Sequence, residues 1–359
     1  MSRLALRLQR IWYDREPVPF WLAALVPVYR LLRAAHLALY RSGLRTVSRV
    51  DVPVVVVGNL TAGGSGKTPL VIALVEALRA RGFRPAIVSR GYGGSQRAAT
   101  VLEDAPDPRR YGDEASLMRR RTGAMVAVGR NRARAVALLA QRGANVVIAD
   151  DGLQNPGLAR DIEICVIDGQ RRFGNERLLP AGPLREPLER LDRVDFRVCN
   201  GARAEKGEVP MRLEGAMAVA VAGPPAARPL SSFSGTRVHA VAAIGNPERF
   251  FTGLQVRGID VITHPFADHH VFSAADLAFN DGLPVLMTEK DAIKCIGFAG
   301  ANVWCVPVSA ELPSGFIEEV IARFRPQARA GTPARRYPSV RRSAAWHARS
   351  RPRPGRTPR

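Results

Sequence analysis

"VVVVGNLTAGGSGKTP", residues 54–69, joins four valines to a glycine-rich loop that ends in Gly-Lys-Thr. β-branched residues favour a strand. The run that follows, TPLVIALVEALRARG, carries Leu70, Leu74, Val75 and Leu78 at helical spacing, with Pro69 in the first turn and Gly82 as a stop. A strand, a tight loop and a helix start in that order make a phosphate cradle. Backbone N–H groups at the helix start point at the anion, glycines let the chain approach it, and Lys67 adds a mobile positive charge. The general pattern G-x-x-x-x-G-K-[ST] opens on glycine, whereas Thr61 stands there in this chain. With that departure, Thr61, Ala62, Gly63, Gly64, Ser65, Gly66, Lys67 and Thr68 are expected to hold nucleotide phosphates, and the Thr68 hydroxyl to face a magnesium ion.

Working outward from the loop, short β-branched runs alternate with helical patterns, which predicts a parallel sheet covered by helices. Strands are expected at Val54–Val57, Pro85–Ser89, Asn145–Ala149, Ile162–Ile167 and Asp195–Cys199. The stretches 205–210 and 222–235 read as connectors, and a second β-α-β series follows through RVHAVAAIGNPERF, IDVITHPF, PVLMTEKD and NVWCVPV. The expected fold is α/β: a P-loop NTPase-like domain over 46–215, a smaller α/β domain over 216–325, an N-terminal amphipathic membrane segment over 1–45 and a disordered arginine-rich tail over 326–359.

Of 359 residues, 46% are hydrophobic, enough for ordinary cores, so disorder of the whole chain is excluded. The net charge of +21 resembles a nucleic-acid signature until its location is considered: residues 326–359 hold ten arginines and no acidic residue. The body shows no interleaving of aromatic and basic residues, so no nucleic-acid partner is expected. Cys165, Cys199, Cys295 and Cys305 are scattered, without metal-ligand spacing, and read as core residues of a reducing compartment. No signal peptide is visible. In PVPFWLAALVPVYRLLRAAHLALYR the uncharged run Phe20–Tyr29 is too short to span a bilayer of about 30 Å. Trp21 and Tyr29 as interfacial anchors, with Arg30, Arg33 and Arg41 as lipid-facing cations, fit a helix lying in the plane of an anionic membrane surface. A helix packed on its own domain is the competing reading.

A magnesium-phosphate site needs carboxylates at the end of a neighbouring strand, and NVVIADDGLQ supplies Asp150 and Asp151 in a Walker-B-like arrangement. Spacing does not decide which of them meets the ion. Transfer to a hydroxyl also needs a base. Two stretches offer one: YGDEA, with Asp113 and Glu114 where a helix cap would also use Asp, and FADHH, residues 266–270, where a carboxylate stands beside two imidazoles. Glu114 is grouped with the metal-facing acids. Arg132, Arg185 and Glu186 are candidate clamps for an anionic substrate.

Seven ordered stretches, VGNLTAGGSGKTP, SRGYGG, YGDEA, ADDGLQ, LLPAGPLREP, FADHH and TEKDAIK, together resemble the tetraacyldisaccharide 4'-kinase family of lipid A synthesis in Gram-negative bacteria, over roughly residues 10–325. Thr61 itself matches the family pattern. The resemblance implies two α/β/α lobes and an N-terminal membrane helix on the cytoplasmic face of the inner membrane. It further implies transfer of the ATP γ-phosphate to the 4'-hydroxyl of an acylated glucosamine disaccharide 1-phosphate, giving lipid IVA. Asp113 is then the activating carboxylate and His269 its assistant, with His270 a bystander. Asn59, Arg132, Gln154, Arg185 and Glu186 border the sugar or its phosphate, and Thr288 and Lys290 face the nucleotide across the cleft. A membrane-associated ATPase of partition or switch type is the alternative; it needs neither acceptor base nor sugar clamp.

Overall fold

The computed structural model describes residues 3–324 apart from Arg15 and Ala202; the arginine-rich tail lies outside the described residues. Two helices lead, α1 (Arg3–Tyr13) and α2 (Phe20–Arg41). The quoted valines form β1 (Val54–Gly58), buried on both faces, as a strand between two helix layers must be. It feeds α3 (Lys67–Ala80), whose Leu70, Leu74, Val75 and Leu78 are all buried. The chain continues through β2 (Pro85–Ser89), β3 (Thr100–Val101), α4 (Pro108–Tyr111), α5 (Asp113–Thr122), β4 (Met125–Val128), α6 (Arg132–Gln141), β5 (Val146–Asp150), β6 (Ile162–Asp168), β7 (Phe196–Asn200) and β8 (Glu208–Glu214).

A second series comprises β9 (Met217–Ala220), β10 (Ala227–Pro229), β11 (Arg237–Ala242), α7 (Pro247–Gln255), β12 (Asp260–Pro265), β13 (Val285–Thr288), α8 (Glu289–Ala292) and β14 (Val303–Val306). The last elements are β15 (Ser309–Glu311) and α9 (Phe316–Phe324). The first sheet has the order β15-β8-β7-β6-β1-β5-β2-β4-β3 and the second β10-β9-β14-β13-β11-β12. In the first sheet β3 and β15 alone run antiparallel to their neighbours. The register Val57↔Asp150, Val88↔Ala149 and Ser89↔Val128 brings the carboxyl ends of β1, β5, β2 and β4 to one edge. Ligand-binding loops of an open α/β sheet gather at such an edge.

Four readings change. The predicted strands shift by one residue at Val146–Asp150 and Phe196–Asn200. The expected connector 205–210 contains the start of β8. The second lobe does not run to residue 325: β15 pairs with β8, and Phe316, Ile317, Val320 and Ile321 of α9 pack in the core of the first sheet. The chain therefore crosses between lobes twice, at 215–216 and 307–308, and a Cβ placed on Gly215 would lie 3.1 Å from the Pro307 carbonyl oxygen.

The fourth concerns α2. It runs unbroken through Pro27 for 22 residues, about 33 Å at helical rise, so by length and composition it could cross a membrane. The short uncharged run was not the limit. One face is nevertheless docked: Leu22 packs with Ile11 and Ala181, Tyr29 Oη donates to the Arg185 carbonyl (2.8 Å) and Arg33 pairs with Glu186 (2.8 Å). Tyr29 and Arg33 thus face the protein rather than lipid. The opposite face leaves Phe20, Trp21, Leu25, Val28, Leu31 and Leu32 exposed.

Candidate active site

The loop after β1 is held from three sides. Its start is extended: Thr61 bridges Leu184, and Ala62 N donates to the Pro183 carbonyl (2.8 Å). That backbone needs no positive φ, which explains why threonine serves where the general pattern has glycine. Gly63 (φ 104°) and Gly66 (φ 94°) do adopt left-handed backbone, and Gly66 ends the loop as the residue before α3. Asn59 Nδ2 donates to the Gly63 carbonyl (3.2 Å) and Asn200 Nδ2 to the Ser65 carbonyl (3.0 Å). The second lobe touches the loop directly: a Cβ on Gly245 would sit 2.7 Å from Gly64 N. Any larger residue there would displace the loop.

Lys67 Nζ lies 3.2 Å from Asn59 Oδ1 and 3.7 Å from Asp151 Oδ1. Asp151 also accepts from Arg185 Nη1 at 3.0 Å, and its carbonyl accepts from Arg132 (2.9 Å). Burial opposes its charge, but Lys67 and Arg185 outweigh that and hold its pKa at about 2. Its neighbour differs. Burial, then the charges of Glu114 and Asp151, push Asp150 up to about 7. Asp150 Oδ1 is buried without a hydrogen-bond partner, as is Ser65 Oγ in the loop.

Across the cleft, Asp113 opens α5 and His269 comes from the loop after β12. His269 Nδ1 is 2.9 Å from Asp113 Oδ2, and its ring lies 4.9 Å from that of Tyr92. Burial raises the Asp113 pKa, yet the hydrogen bond from His269 and the charge of Lys290 leave it below the ordinary value; the same bond raises His269 against the pull of burial. Lys290 Nζ sits 2.9 Å from Glu114 and 3.6 Å from Asp268. Burial alone would lower its pKa, and those carboxylates raise it. Asp151 (φ 46°) and His269 (φ 61°) hold left-handed backbone, a conformation that costs about 1–3 kcal/mol and gathers at functional sites.

One cavity of about 1350 Å³ is lined by Gly63–Thr68, Glu114, Arg132, Asp150, Asp151, Gln154, Arg185, His269, Thr288 and Lys290. Other sequence candidates stand behind it. Asn59 and Glu186 are buried: Asn59 anchors Lys67, and Glu186 takes Arg33 and Gln154 (3.0 Å). Thr61 is buried, and Thr61 and Ala62 are spent on the backbone bridge; Thr288 does line the cavity, with its Oγ1 donating to Asp291 (2.6 Å). His270 meets Asp276 (3.4 Å), away from Asp113. Sequence reading noted Asp268 only as the carboxylate beside the two imidazoles, and passed over Asn200 and Gly245. Asn200 ends an apolar strand as Asp150 does, so its position at the sheet edge was a usable signal; Gly245 gave none.

A family model described as tetraacyldisaccharide-1-P 4'-kinase (LpxK) matches residues 18–325. A protein named tetraacyldisaccharide 4'-kinase from Xanthomonas euvesicatoria pv. vesicatoria (strain 85-10) is 48% identical over 337 residues, 90% of this chain and 97% of that one. One of the same name from Stenotrophomonas maltophilia (strain R551-3) is 49% identical over 316 residues, covering 85% and 93%. The crystal structure of LpxK from Aquifex aeolicus in complex with ATP superposes with a TM-score of 0.69 at 28% identity, over 84% of this chain and 99% of that one. With these matches spanning both lobes and the cleft between them, the chain belongs to the tetraacyldisaccharide-1-P 4'-kinase family.

Proposed function

We propose that this kinase moves the γ-phosphoryl group of ATP to the 4'-hydroxyl of a tetraacyldisaccharide 1-phosphate, with Asp113 as the acceptor's base. The observation that carries this is that a single cleft is lined by the phosphate loop with Lys67 and by His269, whose Nδ1 is 2.9 Å from the buried Asp113 just behind it, joining the two lobes. The acceptor oxygen attacks the γ-phosphorus as its bond to the β-phosphate oxygen breaks; ADP leaves, and the hydroxyl proton passes to Asp113. Phosphoryl transfer asks mainly for alignment and charge stabilisation. The loop amides and Lys67 supply the charge. His269, donating from Nδ1, keeps the carboxylate turned toward the hydroxyl, and Lys290, tied to Glu114, meets the nucleotide from the second lobe. A switch ATPase would have no use for that pair.

Magnesium fits the residues present. Among the described residues no group of three or more His, Cys, Asp or Glu side chains is arranged to hold a metal alone. The unpartnered Asp150 Oδ1 and its raised pKa mark carboxylates short of positive charge. An oxygen-only donor set suits an ion that arrives with nucleotide phosphates. Asp150, Asp151 and Thr68 would hold it, with Glu114 nearby, and it would neutralise charge on the transferring group.

The chain works at the cytoplasmic face of the inner membrane, where ATP and the lipid-borne acceptor meet. Support comes from α2, whose docked polar side forbids lipid on all sides while its exposed Phe20, Trp21, Leu31 and Leu32 suit burial in an anionic surface. Radiolabelled ATP, detergent and the acyl disaccharide test the assignment. The bisphosphorylated lipid should form, and Lys67→Met should slow it by about 10²–10³-fold. No product with the wild-type protein, or undiminished rate in the variant, would refute it.

A further inference from the structure

We propose that Lys294, through its ion pair with Asp291, is a positioning residue that holds His269 against Asp113. The inference rests on the kinase reading above and adds two residues of the second lobe to it.

The stretch TEKDAIK sends its side chains in two directions. Thr288 and Lys290 line the cleft, whereas Asp291 is fully buried and Lys294 nearly so. They stand one helical turn apart, which brings Lys294 Nζ to 2.7 Å from Asp291 Oδ1. Taking two charges out of water costs about as much as their attraction returns, and an apolar pair of similar volume would serve stability as well. Such a pair could not make the contacts that these side chains make next. Lys294 Nζ donates to the His270 carbonyl (3.1 Å), and Asp291 Oδ2 accepts from Ala243 N (2.9 Å) and from Thr288 Oγ1 (2.6 Å).

Both arms end next to a group that the second lobe presents to the cleft. His270 directly follows His269, whose left-handed backbone (φ 61°) persists only where its surroundings fix it. The following peptide is fixed on both sides: His270 N donates to the Ala267 carbonyl (3.0 Å), and the His270 carbonyl takes the ammonium. That ammonium also lies 5.0 Å from the ring centre of Phe272, a buried residue packed edge-on against Phe266. The other arm reaches Ala243, two residues before the Gly245 that presses on the phosphate loop. One ion pair therefore anchors the imidazole that meets Asp113 and the turn that meets Gly64. Lys294 acts on Asp113 by a second route as well, since its charge helps to lower that carboxyl's pKa. Only the first route needs His269.

The test is a double-mutant cycle on kcat for the acyl disaccharide. Asp291→Asn/Lys294→Met removes both charges, leaves an acceptor for Ala243 N and takes away the donor to His270. It should lower kcat about 10–100-fold with the KM for ATP unchanged. In a His269→Gln background the same two changes should alter kcat by less than about twofold, because no imidazole is left to position. Losses that multiply would mean general damage or direct action on Asp113, and would overturn the proposal. So would a pair variant, or a His269→Gln enzyme, as fast as the wild type. Lys294→Arg keeps a charge opposite Asp291 while its wider head displaces the donor; it supplies a second variant for the cycle if the first does not fold, read by the same criterion. A wild-type enzyme that phosphorylates no acyl disaccharide overturns the kinase reading itself, whereas an active enzyme with multiplying losses overturns the positioning role alone.

Discussion

His269 Nδ1 lies 2.9 Å from Asp113 Oδ2, although 156 positions separate the residues and they stand in different lobes. The couple proposed for catalysis therefore exists only when the lobes are together. Asp113→Asn keeps the shape and removes the base, so kcat should fall about 10²–10⁴-fold with ATP affinity changed little. His269→Gln, which removes only the orienting group, should cost less. Single-turnover transfer and a nucleotide-binding titration separate the two effects, and a variant of Asp113 with wild-type turnover would remove it from catalysis.

The couple also predicts a titration. His269 is raised from its ordinary 6.5, first by the hydrogen bond to Asp113, and Asp113 is lowered from 3.8 because that bond and Lys290 overcome burial. For the imidazole, protonation favours the folded state: its contribution is fully present below pH 6.5 and is lost as pH rises through the raised value. For the carboxylate, the contribution is present above pH 3.8 and lost as pH falls through the lowered value. NMR of the histidine ring should place His269 above 6.5 in the wild type. In Asp113→Asn, where only Asp268 still opposes burial and Lys290, the ring should titrate below its wild-type value.

Arg33 should matter to stability and Arg30, on the exposed side of the same helix, should not. Its pair with the buried Glu186 fixes α2 to the segment that carries Arg185. Arg33→Met should lower unfolding free energy by about 1–3 kcal/mol, since Glu186 keeps Gln154 but loses a charged donor. Arg30→Met, on the exposed side, should stay within about 0.5 kcal/mol. Denaturant titration in detergent reads both.

Replacing Phe20, Leu31 and Leu32 with Asp tests the exposed face of α2. The triple variant should fold with an unchanged melting temperature and release from anionic vesicles, because each apolar side chain buried in lipid contributes about 1.5–3 kcal/mol. Retained vesicle binding would contradict the membrane role of this face.

Much of the fold was legible because it rests on local chemistry. Runs of valine and isoleucine buried on both faces mark β1, β5 and β6, and the glycines and lysine of the loop declare their purpose without tertiary context. What escaped reading depends on contacts far apart in sequence. β15 has three residues and no pattern, so its return to the first sheet is decided by pairing with β8. The docked stripe of α2, Leu22, Val26, Tyr29 and Arg33, does have helical spacing, but an arginine at its end reads as solvent-facing until Glu186 is in place. Asn59 and Glu186 illustrate the same limit within the site: a polar residue in a site motif can support the lining from behind, and spacing does not separate the two roles.

The paired crossings at 215–216 and 307–308 restrict how the halves of the molecule can move. One tether permits swivelling in every direction, whereas two short tethers side by side act as a door hung on adjacent pins, free chiefly to swing about the line through both. The gap between Asp113 and His269 then follows from a single angle, so a bulky residue at Gly215 should alter the timing of the reaction without touching any group that performs it.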